Sequence, residues 1–117
     1  MTIAKSLAAL ALGLCAGWAQ AQDCSIHTTR AACPGKETQS YAKCDGKAAC
    51  EKAVEAASAQ ACQALAVKAC ANDRLDITRS KVIKASYKGQ ALSSASGKED
   101  FCADYEKRAT EFDQCPK

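Results

Sequence analysis

The chain has 117 residues, nine cysteines, 5% aromatic residues and a formal net charge of +3. This length allows one small domain and excludes Rossmann and TIM-barrel enzymes, which need long runs of alternating strands and helices. The near-balanced charge and the scarcity of aromatic side chains that stack on bases argue against nucleic-acid binding.

The N-terminus has the pattern of a signal peptide. One lysine precedes an apolar run over residues 6–16, and Ala19 and Ala21 place small side chains just before a cleavage site. This run is too short to span a bilayer as a helix. We therefore predict a cleaved signal peptide at 1–21, a single domain at 22–117, a periplasmic or secreted location, and no membrane span after cleavage.

The cysteine count predicts a disulfide framework. Removal of the signal peptide takes away Cys15 and leaves eight of the nine cysteines. An even number of cysteines in a short exported chain is typical of a domain held by disulfides, and large apolar residues are too few here to stabilise a core alone. The cysteines predicted to be bridged are Cys24, Cys33, Cys44, Cys50, Cys62, Cys70, Cys102 and Cys115.

The first half of the domain divides into a loop region and a helical segment. Residues 22–46 mix turn-forming residues with three cysteines and show no clear periodicity, which predicts a stapled loop region with at most a short helical turn. Residues 47–71 are rich in alanine, the residue of highest helix propensity, and predict an Ala-rich helical segment. It forms either one helix or two helices with a break near residues 56–58.

The second half contains one predicted strand. Ile83, Ala85 and Tyr87 alternate with polar residues, as in a strand with one apolar face, and Lys88 and Gly89 can turn it back into a short hairpin. This strand carries a basic surface that we predict to bind a partner, although the same charges can instead complement the acidic C-terminal segment. The predicted partner-binding residues are Arg79, Lys81, Lys84 and Lys88.

A C-terminal helix is predicted after the hairpin. Ser96 and Glu99 have the spacing of a capping box, and Phe101, Tyr105 and Phe112 fall on one helical face as core residues. The predicted fold class is therefore α+β and predominantly helical: a small disulfide-rich domain with an Ala-rich helical segment, one strand or short hairpin, and a C-terminal helix.

The predicted helices also suggest how the cysteines pair. A helical hairpin turning near residues 56 and 57 would bring together Cys44 with Cys70 and Cys50 with Cys62. Positions eight apart on one helix lie about 12 Å apart, so Cys62 cannot pair with Cys70 while both are helical. Cys24 and Cys33 then pair with Cys102 and Cys115 in either order.

Motifs for catalysis and cofactor binding are missing from the sequence. It has no C-x-x-C pair, nucleophile elbow, phosphate-binding loop or zinc-protease motif, so we expect no enzyme and no cofactor. The leading hypothesis is a non-enzymatic module that binds another envelope or extracellular protein, as an inhibitor, an immunity-type partner or an envelope accessory protein. One alternative is a periplasmic thiol protein that binds zinc or copper(I), with Cys24 and His27 among its ligands. Another is a small secreted hydrolase or toxin.

Overall fold

A four-stranded antiparallel sheet in the order β2-β1-β3-β4 forms the centre of the computed structural model, which describes residues 22–117. The predicted signal peptide lies outside the described residues. The prediction of a predominantly helical fold is wrong, because the sheet is the central layer and the helices are short. The strands are β1 (Cys24–Ala32), β2 (Ala49–Val54), β3 (Thr78–Tyr87) and β4 (Gln90–Ala91), and the helices are α1 (Glu37–Ser40), α2 (Ala59–Lys68) and α3 (Arg108–Glu111). Two 3₁₀ turns span Tyr41–Cys44 and Phe101–Asp104.

Strand β1 occupies part of the segment predicted to be a loop, and it is a central strand of the sheet. Its residues pair with β2 on one side and with β3 on the other. Cys24 and Ile26 are buried, whereas His27 is exposed, so the side chains alternate between the two faces of the sheet. We call the face that carries Cys24 and Ile26, against which the core packs, the covered side, and the other the open face. The neighbouring cysteines and turn residues mask this short alternation in the sequence.

The Ala-rich segment divides into strand β2 and helix α2 rather than forming one helix or two. Cys50 of β2 lies opposite Thr28 of β1, and pairing along this register overrides the weak helix preference of alanine. Helix α2 begins after Ser58, whose hydroxyl accepts the backbone N–H of Ala61 at 3.1 Å. Both predicted alternatives, one helix or two helices with a break near residues 56–58, are therefore wrong, because only the part after Ser58 is helical.

The predicted strand and hairpin are confirmed as β3 and β4. Ile83 and Ala85 are buried, whereas Lys84 is exposed, as the alternating pattern indicates. Lys88 and Gly89 join the strands with φ angles of 51° and 79°. Two consecutive positive φ angles are typical of the type I′ turn, whose twist matches that of the flanking strands.

Four disulfides connect the sheet to the surrounding segments. Two of them, Cys24–Cys62 and Cys70–Cys102, lie in the core together with Ile83 and Phe101. The predicted pairs Cys44–Cys70 and Cys50–Cys62 are wrong, since residues 49–54 form a strand and no helical hairpin exists to align them. Cys33–Cys115 is one of the predicted alternatives and is confirmed, but the prediction that Cys24 pairs with Cys102 or Cys115 is wrong, because Cys24 pairs with Cys62. The complete set is Cys24–Cys62, Cys33–Cys115, Cys44–Cys50 and Cys70–Cys102.

The C-terminal segment is less helical than predicted. The Ser96 hydroxyl donates to Asp104 at 2.6 Å instead of capping a helix, and the Asp100 carboxylate caps the 3₁₀ turn by accepting the N–H of Cys102 at 2.9 Å. The predicted core role of the aromatic residues is confirmed, because Phe101 and Phe112 are buried and Tyr105 packs against the same core.

Asp100 also closes one edge of the sheet, and its removal is expected to destabilise the fold. The same carboxylate oxygen that caps the 3₁₀ turn accepts the N–H of Ile83 in β3 at 3.0 Å. Asp100→Ala leaves both donors unpaired, which we expect to lower the free energy of unfolding by about 2 kcal/mol. Asp100→Asn keeps the acceptor and is the control in a denaturant titration. Equal stabilities of the two variants would contradict this role.

Candidate functional site

A cleft with an apolar floor and a basic rim lies on the covered side of the sheet. Its volume is about 320 Å³, which falls in the usual range of ligand-binding clefts. The floor combines side chains of β1, β2, α2 and the residue that follows α2, namely Ile26, Val54, Leu65 and Ala69. Three basic side chains, Arg30, Lys43 and Lys52, line the same cleft. We call this set of residues the basic cleft.

The register of the sheet places two of these cations on the covered side. Lys52 of β2 lies opposite Ile26 of β1, and directly opposed residues of an antiparallel pair share a face. Arg30 lies four residues after Ile26 on β1 and therefore points to the same side. Lys43 comes from the 3₁₀ turn, next to Cys44, which is fixed to β2 by its disulfide with Cys50.

Lys81 extends the positive charge beyond the cleft. It lies opposite Arg30 on β3, and its Nζ donates to the carbonyl of Ala71 at 2.6 Å, just beyond the end of α2. Burial is the main cause that lowers the pKa of Lys81, and the nearby charges of Arg30 and Lys43 lower it further, whereas Asp73 and Glu111 act against the shift. Burial also lowers the pKa of Arg30. These like charges therefore share a partly desolvated region.

The cations of the basic cleft have no acidic partner among residues 22–117. Ion pairs in this part of the chain join Arg79 to Asp113 at 2.8 Å and Lys84 to Glu99 at 3.6 Å, and both lie elsewhere. Neither Arg30, Lys43 nor Lys52 has a described carboxylate within 4.0 Å. An anionic group that entered the cleft would meet unneutralised charge beside an apolar floor.

The predicted partner-binding residues do not form one surface. Only Lys81 faces the covered side near the basic cleft. Lys84 points to the open face, Arg79 pairs with Asp113, and Lys88 lies in the hairpin turn with its Nζ 5.7 Å from the centre of the Tyr87 ring. Arg30, Lys43 and Lys52 were not predicted from the sequence. Arg30 and Lys52 lie on the same face only because β1 pairs with β2, and Lys43 lies beside them because its 3₁₀ turn is bridged to β2.

A second groove of about 410 Å³ lies on the opposite side of α2. Val67, Ala95 and Tyr105 contribute to its lining, together with the charged residues Asp104, Glu106 and Lys107. Its charged groups are two carboxylates and one ammonium group, whereas the charged side chains that line the basic cleft are all positive. The basic cleft is therefore the stronger candidate site.

The ligands proposed for a soft metal are not brought together. Cys24 points into the core and is bridged to Cys62, whereas His27 is exposed on the open face, three residues along the strand and on its other side. The eight cysteines of residues 22–117 are all bridged, and a bridged sulfur is not the thiolate that zinc or copper(I) requires. Within these residues, His, Cys, Asp and Glu form no group of three or more that could hold a metal ion.

Helices in the described part of the chain are all too short or too polar to cross a bilayer. Comparison with known proteins gives no relative: no family model, no curated protein and no solved structure matches the chain. The functional inference therefore depends on the basic cleft and the disulfides.

Proposed function

We propose that the protein is an exported, non-enzymatic binding module of the periplasm or the extracellular space, and that its basic cleft binds an acidic segment of another protein. The observation that carries this proposal is the set of cations Arg30, Lys43 and Lys52 around an apolar floor, with no acidic partner within residues 22–117. The four disulfides support an oxidising compartment, since such bridges persist outside the cytosol.

The chemistry of the rim supports binding rather than catalysis. Arginine and lysine side chains at these positions carry positive charge and donate hydrogen bonds, which suits recognition of carboxylates. His27, the one imidazole of the chain, lies on the opposite face of the sheet and is separated from the cleft by the strands themselves. An inhibitor, an immunity-type partner and an envelope accessory protein all require this kind of preformed binding surface.

The disulfide between Cys44 and Cys50 supports a preformed site. It closes the segment 44–50, which begins directly after Lys43 and ends on β2, two residues before Lys52. A rim held in place before the partner arrives loses less conformational entropy on binding. The rigid rim is therefore expected to increase affinity without any additional contact.

Charge reversal in the cleft tests the proposal. We expect Lys43→Glu with Lys52→Glu to weaken binding of a blocked octaglutamate peptide by at least about tenfold, because two attractions become repulsions at a partly apolar site. Both lysines are exposed, so the thermal midpoint should change little. Isothermal titration calorimetry at low ionic strength measures the affinity.

Lys84→Glu with Lys88→Glu is the matched control, because it changes the net charge by the same amount on the open face and hairpin turn. Its affinity for octaglutamate should stay close to that of the wild type. Equal losses in both double variants would show attraction by overall charge alone. A loss confined to the Lys84 and Lys88 variant would instead identify the basic surface predicted from the sequence as the binding site.

A further inference from the structure

Strand β2 leaves one edge of the sheet unpaired among the described residues. The N–H of Arg30 donates to the carbonyl of Ala48 at 2.8 Å, which shows that even-numbered residues of this segment direct their backbone groups toward β1. Alternation then turns the N–H and C=O groups of Ala49, Glu51 and Ala53 outward. Within residues 22–117, these outward groups have no hydrogen-bond partner.

The opposite edge of the sheet is closed at several points. Strand β4 pairs with the end of β3, and the N–H of Leu92 donates to the carbonyl of Ala85 at 2.9 Å. Farther along β3, Asp100 accepts the N–H of Ile83, and the N–H of Asp113 donates to the carbonyl of Arg79 at 2.8 Å. The two edges therefore differ. The backbone groups at the edge formed by β3 and β4 are hydrogen-bonded at these points, whereas the β2 edge beside the basic cleft can accept another strand.

We propose that the acidic segment of the partner binds as an extended fifth strand, antiparallel to β2, with its acidic side chains on the cleft side. This inference rests on the proposed function and specifies how the partner is held. Backbone hydrogen bonds to Ala49, Glu51 and Ala53 give affinity, as in other cases of strand addition, and the side chains on the cleft side give specificity.

The side chains of β2 define the pattern that the segment must have. On the cleft side, Lys52 favours an acidic residue opposite it and Val54 favours an apolar one. On the open side, Glu51 repels an acidic residue opposite it. Its neighbours on that face of β2 are Ala49 and Ala53, so small neutral residues fit there. The expected segment therefore alternates acidic or apolar residues with neutral polar ones.

A synthetic peptide with blocked ends and the sequence Val-Thr-Glu-Thr-Val-Thr-Glu-Thr matches this pattern. When its first valine lies opposite Val54, its first glutamate lies opposite Lys52 and its threonines lie opposite Ala53, Glu51 and Ala49. The threonine N–H groups then face β2, whereas the valine and glutamate N–H groups face away.

Backbone methylation of this peptide tests the strand addition. Methylation of the threonine nitrogens removes the donors that face β2 and is expected to weaken binding more than tenfold. Methylation of the valine and glutamate nitrogens keeps those donors and should leave the affinity within about twofold, since the side chains and the charge are the same in both peptides. Equal affinities of the two methylated peptides would overturn the inference.

A substitution in the protein provides a second test. Ala53→Pro removes an N–H that points outward and takes no part in pairing with β1, so the fold is expected to persist. We expect Ala53→Pro to lower the affinity for the peptide at least tenfold. Ala53→Thr, which keeps the N–H, should leave the affinity unchanged. Circular dichroism and the thermal midpoint verify that both variants are folded.

The outcomes separate this inference from the proposed function. If both methylated peptides bind equally and Lys43→Glu with Lys52→Glu still weakens them, the cleft binds acidic segments without strand addition. If the cleft variant leaves binding of both octaglutamate and the threonine-containing peptide unchanged, the proposed function itself fails. A dimer of the free protein that Ala53→Pro abolishes would assign the edge to a second copy of the chain and overturn the inference.

Discussion

Reduction of the four disulfides is expected to unfold the protein at about 37 °C, as is common for small secreted domains. The buried cluster contains few large apolar side chains, Ile26, Ile83, Phe101 and Phe112, and much of the remaining cluster is half-cystines. Each bridge contributes about 2–4 kcal/mol, whereas the total stability of a typical domain is about 5–15 kcal/mol. The loss of all four bridges therefore removes a large part of what keeps this chain folded.

Circular dichroism with a strong reductant, followed by alkylation, measures this effect. The expected result is loss of the strand signal together with alkylation of all eight cysteines of residues 22–117. The unreduced protein is the control, and it should take up no alkylating reagent at these positions. A strand signal that survives complete alkylation would show that the apolar core is sufficient without the bridges.

Deletion of single bridges is expected to separate stability from binding. Cys70→Ala with Cys102→Ala opens a loop with a sequence separation of 32 and leaves a void at two fully buried positions. From chain entropy alone, we expect a loss of about 3.7 kcal/mol in the free energy of unfolding, and the void adds to it. Cys44→Ala with Cys50→Ala opens a loop with a separation of only 6. Its expected cost is about 2.2 kcal/mol.

The two double variants should rank in the opposite order for binding. The bridge between Cys44 and Cys50 fixes the 3₁₀ turn that carries Lys43. Its loss should therefore lower the affinity for octaglutamate more than the loss of the core bridge does. Denaturant titration under non-reducing conditions gives the stabilities, and calorimetry gives the affinities. Affinity that follows stability in both variants would show that the short bridge has no specific role at the cleft.

The hairpin of β3 and β4 was predictable because its signals are local. Ile83 and Ala85 alternate with polar residues over the length of the strand, and a dipeptide ending in Gly89 supplies the turn. Strand β1 has a similar alternation at Cys24 and Ile26, but it is short and lies among cysteines and turn residues. Its central position depends on pairing with segments far along the chain, which local patterns do not specify.

The helix predicted over residues 47–71 failed for a physical reason. The preference of alanine for helix is at most about 1 kcal/mol per residue. The central strand β1 needs hydrogen-bond partners on both sides, so pairing with β2 stabilises the fold more than a helix over residues 47–56 would. The disulfide pairs that depended on this helix failed with it. Cys33–Cys115 was predicted only by elimination, as one of two alternatives, once those pairs had been assigned, and the same step gave Cys24 a wrong partner.

The basic cleft could not be read from the sequence for a similar reason. Arg30, Lys43, Lys52 and Lys81 are spread over half the chain and form no charge run. They share one side of the sheet only through the register of three strands and the position of a 3₁₀ turn. The prediction instead named basic residues that lie close together in sequence, Arg79, Lys81, Lys84 and Lys88, of which only Lys81 lies near the cleft.

The central claim is that acidic segments bind at the basic cleft, and chemical-shift mapping of the oxidised protein tests it most directly. Titration with the Val-Thr-Glu-Thr-Val-Thr-Glu-Thr peptide is expected to shift the backbone amide resonances of Glu51, Lys52 and Leu65 most strongly. The amides of Lys84 and Lys88, which lie in β3 and in the hairpin turn and are separated from β2 by β1, should change little. Dominant shifts at Lys84 and Lys88, or no saturable shifts at the cleft, would contradict the claim.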